Sequence, residues 1–389
     1  MIYLDHAATT KPFDDVFDVM REVAINTFGN PSSLHDEGIK ARKLMNQTRK
    51  RLATILNIHH KQLIVTGSGT EAINMVLQGV AKMHPKKTII SLTTEHHAVM
   101  HALEHLQEVG HSVVFLPVDD KGYVSYDALK EVLTTHEVAL VSLLYVNNET
   151  GTKQDIEPLI KLCHSARARV HLDMVQVPLH EAVDLEALKV DFASFSAHKF
   201  HGPRGVGLAY IKDSDTFQKL LFGGKQEFDL RAGTENLPAM VGTLKALETV
   251  ESYRDEWEST IKSRAQFFIQ CLNARPIDYR LNGPSLHERR HAGTLNIGFK
   301  DVDAQQLSFY LNQQGIYVSL GSACSSSNIE PSHVLKAMNV PKDYLYGSIR
   351  FSFGPELTEK DVLRVVDVIE AYLKKTTQAY NVDPMSRSL

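Results

Sequence analysis

Two charged residues close consecutive apolar runs: Asp173 near the end of RVHLDM, and Lys199 just after FASFS, with Ser196 and His198 beside it. A third feature lies upstream in LIVTGSGTEAIN, where an apolar run passes through Thr66-Gly67-Ser68-Gly69-Thr70 into helix-forming residues. Free backbone N–H groups and the positive end of a helix make such a junction an anion site, and Ser68 and Thr70 add hydroxyl donors. Taken alone, the turn is equally well explained as a capped Gly-rich loop, since it is neither a Walker loop nor a GxGxxG fingerprint. The Asp and Lys, taken alone, could be an ion pair. Together the three features supply what pyridoxal 5'-phosphate requires. A lysine can form the Schiff base, an acid can keep the pyridine nitrogen protonated so that the ring draws electrons, and a turn can hold the phosphate.

The elements that must position these residues are short apolar runs separated by helical patterns. The runs are Leu63 to Thr66, Thr88 to Leu92, SVVFLPV, ALVSLLYV, RVHLDM, FASFS and GVGLAYI. Such alternation predicts βαβ units and an α/β fold with a mostly parallel sheet flanked by helices. A sheet of that kind receives its ligand at the carboxyl ends of its strands, where Asp173 and Lys199 stand. A long charged helix from about Leu247 to Gln270 then leads to an interruption, RPIDYRLNGPS. Beyond it, TLNIGF, YVSL and SIRFSF read as strands, and ELTEKDVLRVVDVIEAYLKK has helical spacing. The expected division is a large domain over 16–262, and a smaller α+β domain made of 1–15 and 263–389.

Composition narrows the function classes. With 389 residues, 43% of them hydrophobic, the chain can bury a large core and is not disordered. Its formal charge of -4 and lack of a basic run argue against direct nucleic-acid binding. No signal peptide and no membrane span is expected, because no stretch reaches the roughly 18 apolar residues a span needs. Three cysteines, Cys163, Cys271 and Cys324, fit neither a disulfide framework nor a CxxC metal site, which points to the cytoplasm.

The chain resembles the class V, fold-type I pyridoxal phosphate enzymes, and within them the NifS/IscS-type cysteine desulfurases. The motifs that carry the likeness run from YLDHAATT through FGNPSSLH, TGSGTEAIN, TEHHAV, VNNETG, SFSAHK, RAGTEN and GSACSSSNIEPSHVL to SIRFSFG. The resemblance implies that Lys199 bears the Schiff base and that Gly69, Thr70, Ser196 and His198 contact the phosphate. Thr234 would reach the same phosphate from the other subunit of a homodimer. His96 would stack on the cofactor ring, while Asp173 and Gln176 would meet its pyridine nitrogen and phenolic oxygen. Asn148 would touch ring and substrate, and Arg350 would clamp the substrate carboxylate with its bidentate guanidinium. The chain departs from the family pattern at Met174 and Lys225.

Cys324 matches the nucleophile of that family. Its setting, GSACSSSN, is a string of small polar residues that cannot pack a core, so a mobile exposed loop over about 321–328 is expected. Cys163 and Cys271 are expected to be buried and inert. The reaction implied is conversion of L-cysteine to L-alanine, with sulfur held on Cys324 as a persulfide and passed to an acceptor protein. Iron–sulfur cluster assembly, tRNA thiolation, and thiamine or molybdenum cofactor carriers are all open as destinations. Rival readings are a selenocysteine lyase, a class V aminotransferase, which has no use for Cys324, and a non-catalytic cofactor-binding scaffold. His97, His101 and His105 recur on one helix face and could bind a metal, but no HExxH or cysteine partner accompanies them, so a structural face is expected.

Overall fold

The computed structural model describes residues 1–321 and 331–382. The chain opens with β1 (Ile2–Tyr3), which pairs in parallel with a strand far along the chain. The central sheet has seven strands: β2 (Leu63–Thr66), β3 (Thr88–Leu92), β4 (Val113–Leu116), β5 (Val138–Leu144), β6 (Arg169–Asp173), β7 (Phe192–Ser196) and β8 (Gly207–Ile211). Their order is β2-β8-β7-β6-β5-β3-β4, and only β8 runs against the others. All seven residues of β5 and all five of β7 are buried. Strands covered by helices on both faces lose the in-out alternation, which is why these runs are continuously apolar. The expected mostly parallel α/β sheet is the one observed.

A second, antiparallel sheet joins β9 (Tyr279–Asn282), β10 (Thr294–Phe299) and β12 (Ser348–Ser352), in the order β12-β10-β9; β11 (Ile316–Tyr317) is the partner of β1. Two expectations need correction here. RPIDYRLNGPS, read as an interruption, contains β9, whose half-buried edge position leaves Tyr279, Arg280 and Leu281 without a continuous apolar signature. YVSL overlaps β11 only at Tyr317.

The long helix spans Leu237–Asn273, 37 residues, and begins earlier than the charge pattern predicts, because Asn236 caps it by accepting from the Ala239 N–H. Its first half buries Leu237, Met240, Leu247 and Val250 against the large core, and its last part buries Ile261, Phe268 and Leu272 in the core of the small sheet. Among the described residues, no helix is long and apolar enough to cross a membrane.

Phe268 anchors the second core. It is fully buried, with its ring 5.0 Å from Phe351 and edge-on to Phe353 at 5.7 Å. Phe268→Ala should therefore cost about 3–5 kcal/mol, seen as a lower urea midpoint with little change in slope.

Candidate active site

The carboxyl ends of the parallel strands open on one cleft of about 650 Å³. Its wall brings together Gly69, Thr70, His96, Asn148, Asp173, Gln176, Ser196, His198 and Lys199. Arg350, on β12, is almost fully buried and reaches this wall by donating from Nη1 to the Asn148 carbonyl at 3.1 Å. Thr234 is exposed and is not part of the cleft wall. Cys324 lies outside the described residues.

Lys199 ends a short 3-10 turn, Ala197–Lys199, that follows β7. Its Nζ donates to the carbonyls of Ala7 (2.6 Å) and Ala8 (2.8 Å), from the segment just after β1. Burial, and then the charge on Arg350, push its ammonium down to about 8, while Asp173 and Asp5 act in the opposite sense. Gln176 Nε2 donates to the same Ala7 carbonyl at 2.9 Å. Asp173 closes β6 and accepts from the Val175 N–H at 3.0 Å; burial lifts its carboxyl to about 6. At neutral pH it is an anion, and a cationic partner at the ring position would stabilise it further.

His96 is the N-cap of the helix His97–Glu108, its Nδ1 accepting from the Ala98 N–H at 3.1 Å. Although its side chain is exposed to solvent, desolvation by the surrounding cleft, with the charge of Lys199 second, pushes it down to about 4. The ring is then neutral, and with Nδ1 occupied as an acceptor the hydrogen sits on Nε2. His198 is likewise held down to about 4 by burial, with its Nδ1 3.1 Å from the Thr9 hydroxyl. Ser68 caps the helix Gly69–Met83 by accepting from the Glu71 N–H, so the backbone at Gly69 and Thr70 heads the helix. A Cβ at Gly69 would lie 3.1 Å from the Ser196 Cβ and 3.2 Å from Val175, so the turn rests directly on the neighbouring strand ends.

Several contributors escaped the sequence reading. The carbonyls of Ala7 and Ala8 have no side-chain signature, although YLDHAATT marked their segment. Glu95 is fully buried beside His96, and its carboxyl is held well above the usual range by burial and by Asp173. Met174 packs into the large core and Lys225 is exposed, so neither departure from the family pattern lines the cleft. His97 stacks on His101 at 5.0 Å and on His333 at 4.7 Å, and among the described residues no group of three ligands is arranged to hold a metal. Cys163 and Cys271 are buried free thiols, and burial pushes Cys163 up to about 12.

The family model for class-V aminotransferases matches residues 2–365. The chain belongs to the class-V aminotransferase family. Within it, the chain is of the NifS/IscS-type cysteine desulfurase branch. It is 38% identical over 376 residues to the cysteine desulfurase IscS of Dictyoglomus turgidum, covering 96% of this chain and 95% of that one. Among solved structures, a NifS-like protein superposes with a TM-score of 0.89 at 33% identity, covering 96% and 99% of the two chains. The protein SspA, solved in complex with cysteine, gives a TM-score of 0.81 at 26% identity over 92% of this chain and all of its own. Enzymes of this class-V branch depend on pyridoxal 5'-phosphate, and so does this one. The cleft fits that cofactor. It offers a half-buried amine lowered to about 8, an acid at the end of the adjacent strand, and a helix head with serine and threonine hydroxyls for a phosphate.

Gly207, opposite Ser196 in β8, allows the cradle to close: a Cβ there would lie 2.2 Å from the Ser68 carbonyl carbon and 2.7 Å from the Gly69 nitrogen. Gly207→Ala should displace the cradle and weaken cofactor binding by about tenfold or more, measured by titrating the stripped protein. The Lys199 shift has its own consequence. Below about pH 8 the amine is mostly protonated and cannot add to an aldehyde, so cofactor uptake should rise nearly tenfold per pH unit and level off above 8. A lysine at the ordinary 10.5 would leave the rate still climbing at pH 9, which stopped-flow absorbance would reveal.

Proposed function

We propose that this pyridoxal-phosphate-dependent cysteine desulfurase converts L-cysteine to L-alanine by moving the substrate sulfur onto the Cys324 thiol as a persulfide. The balance closes without an outside oxidant: L-cysteine and a thiol become L-alanine and a persulfide. The observation that carries the reading is Lys199, an amine near neutrality at the floor of a cleft that also presents Asp173.

Lys199 links the cofactor covalently. The phosphate is held by Gly69, Thr70, Ser196 and His198, and Asp173 and Gln176 hold the two polar positions of the ring. When bound there, the cofactor would supply an electron sink for the substrate Cα–H bond. Lys199, half neutral near pH 8, receives the Cα proton. His96, which lines the cleft with its hydrogen on Nε2, would face the ring and serve as the proton donor to the substrate sulfur. Asn148 touches ring and substrate, and Arg350 holds the substrate carboxylate, preset for this by its bond to the Asn148 carbonyl. Cys324 attacks the sulfur and then carries it away from the cleft to an acceptor protein, for iron–sulfur cluster assembly or tRNA thiolation.

Two copies form a homodimer in this reading, and the exposed Thr234 of each reaches the phosphate of the other. Residues 16–262 form the cofactor domain, and 1–15 with 263–389 form the second domain. The separate cores on either side of residues 250–261 support that division. The cytoplasm suits a protein whose Cys163 and Cys271 are free thiols.

Purified protein given L-cysteine and a reductant should release sulfide and alanine in equal amounts. Cys324→Ser should retain the visible absorbance of the cofactor and still bind L-cysteine, yet lose at least about a hundredfold in sulfide release. Mass spectrometry of the parent should find one added sulfur on the Cys324 peptide and none on those of Cys163 and Cys271. Full activity in Cys324→Ser would exclude the persulfide route.

A further inference from the structure

Arg350, assigned above to the substrate carboxylate, already holds a carboxylate of its own chain. Its Nη2 donates to Asp5 Oδ1 at 2.7 Å, while Nη1 donates to the Asn148 carbonyl at 3.1 Å. Its Nε–H is buried and has no partner among the described residues. A guanidinium carries five N–H donors in one plane. Here one bond on each terminal nitrogen fixes that plane, and one N–H on each terminal nitrogen is left over beside the buried Nε–H.

Asp5 is held in place independently of its carboxylate. Its carbonyl accepts from the Ala8 and Thr9 N–H groups and from the Tyr3 hydroxyl, and its backbone bridges to Ser352. The side chain is 24% exposed while that of Arg350 is 5% exposed, so the pair meets solvent mainly through Asp5. The same segment provides the carbonyls that hold Lys199.

We propose that Asp5 is a positioning residue for Arg350 and the counter-charge that sets how tightly the site holds an amino-acid carboxylate, acting on both L-cysteine entry and L-alanine release. The proposal rests on the reading that Arg350 clamps the substrate. With no substrate present, Asp5 compensates a buried cation that would otherwise be costly. When a substrate carboxylate settles on the free donors, it comes within a few ångströms of Asp5, and the two anions repel. At such separations this repulsion is large enough to change affinity by about tenfold. Asp5 thus aims the guanidinium while opposing excessive retention of substrate or product.

The two roles separate in two variants of the holoenzyme. Asp5→Asn keeps an acceptor for Nη2 and removes the charge, so L-alanine, titrated against the cofactor absorbance, should bind about three- to tenfold more tightly. The KM for L-cysteine should fall in parallel, with no rise in kcat. Asp5→Ala removes the acceptor as well, frees the guanidinium, and should weaken L-alanine by about tenfold. Opposite signs are the signature; a residue serving only the fold would move both variants the same way. Affinities within twofold of the parent, or shifts of one sign, overturn the proposal. Arg350→Lys distinguishes the underlying reading. If it binds L-alanine as the parent does, the clamp assignment fails and the proposal with it. If it loses binding while both Asp5 variants match the parent, the proposal alone fails.

Discussion

A half-buried amine held against backbone carbonyls is the constraint from which the rest of the cleft follows. Lys199 is half-buried and gives up part of its hydration, and the carbonyls of Ala7 and Ala8 replace some of what it loses. Those carbonyls belong to the start of the chain, so residues 1–10 must be fastened across both sheets. The fastening is visible in β1 on β11, in Ser352 donating to the Leu4 carbonyl, and in Thr10 bonded to the His198 carbonyl. Gln176 shares the Ala7 carbonyl, which links the ring-side wall to the same segment.

The same burial gives neighbouring titratable groups different characters. Asp173 is raised yet still ionised at neutral pH, whereas His96 and His198 are kept neutral. An anion, an amine that loses its proton near pH 8 and a neutral imidazole therefore occupy one cleft. Cys163 shows the contrary case: burial without a cationic neighbour leaves a thiol far from its reactive form.

Much of this was legible in the residue pattern, and the exceptions share a cause. β2, β3, β7 and β10 stand where their apolar runs begin and end, because strands covered on both faces must be apolar throughout. β9 was missed because an edge strand with Tyr279, Arg280 and Asn282 carries no such mark. The cleft side chains gather as their motifs imply, since each follows a strand end. The partners of Lys199 are main-chain atoms and leave no trace in residue identity. Asp5 was visible in YLDHAATT, but only the folded chain brings it 345 positions across to Arg350. The histidines at 97 and 101 do share a face, as spacing required, and they stack on each other and on His333.

The helix Leu237–Asn273 belongs to two cores, and none of its residues between Val250 and Ile261 is buried. An unbroken α-helix of this length is about 55 Å of rod that resists bending far more than a loop would. A glycine or proline linker would allow one core to swing over the other, but this connection transmits displacement without absorbing it. Large-scale closure is therefore a poor way for this molecule to accommodate different ligands. The two cores should respond to heat or denaturant as one mechanical body.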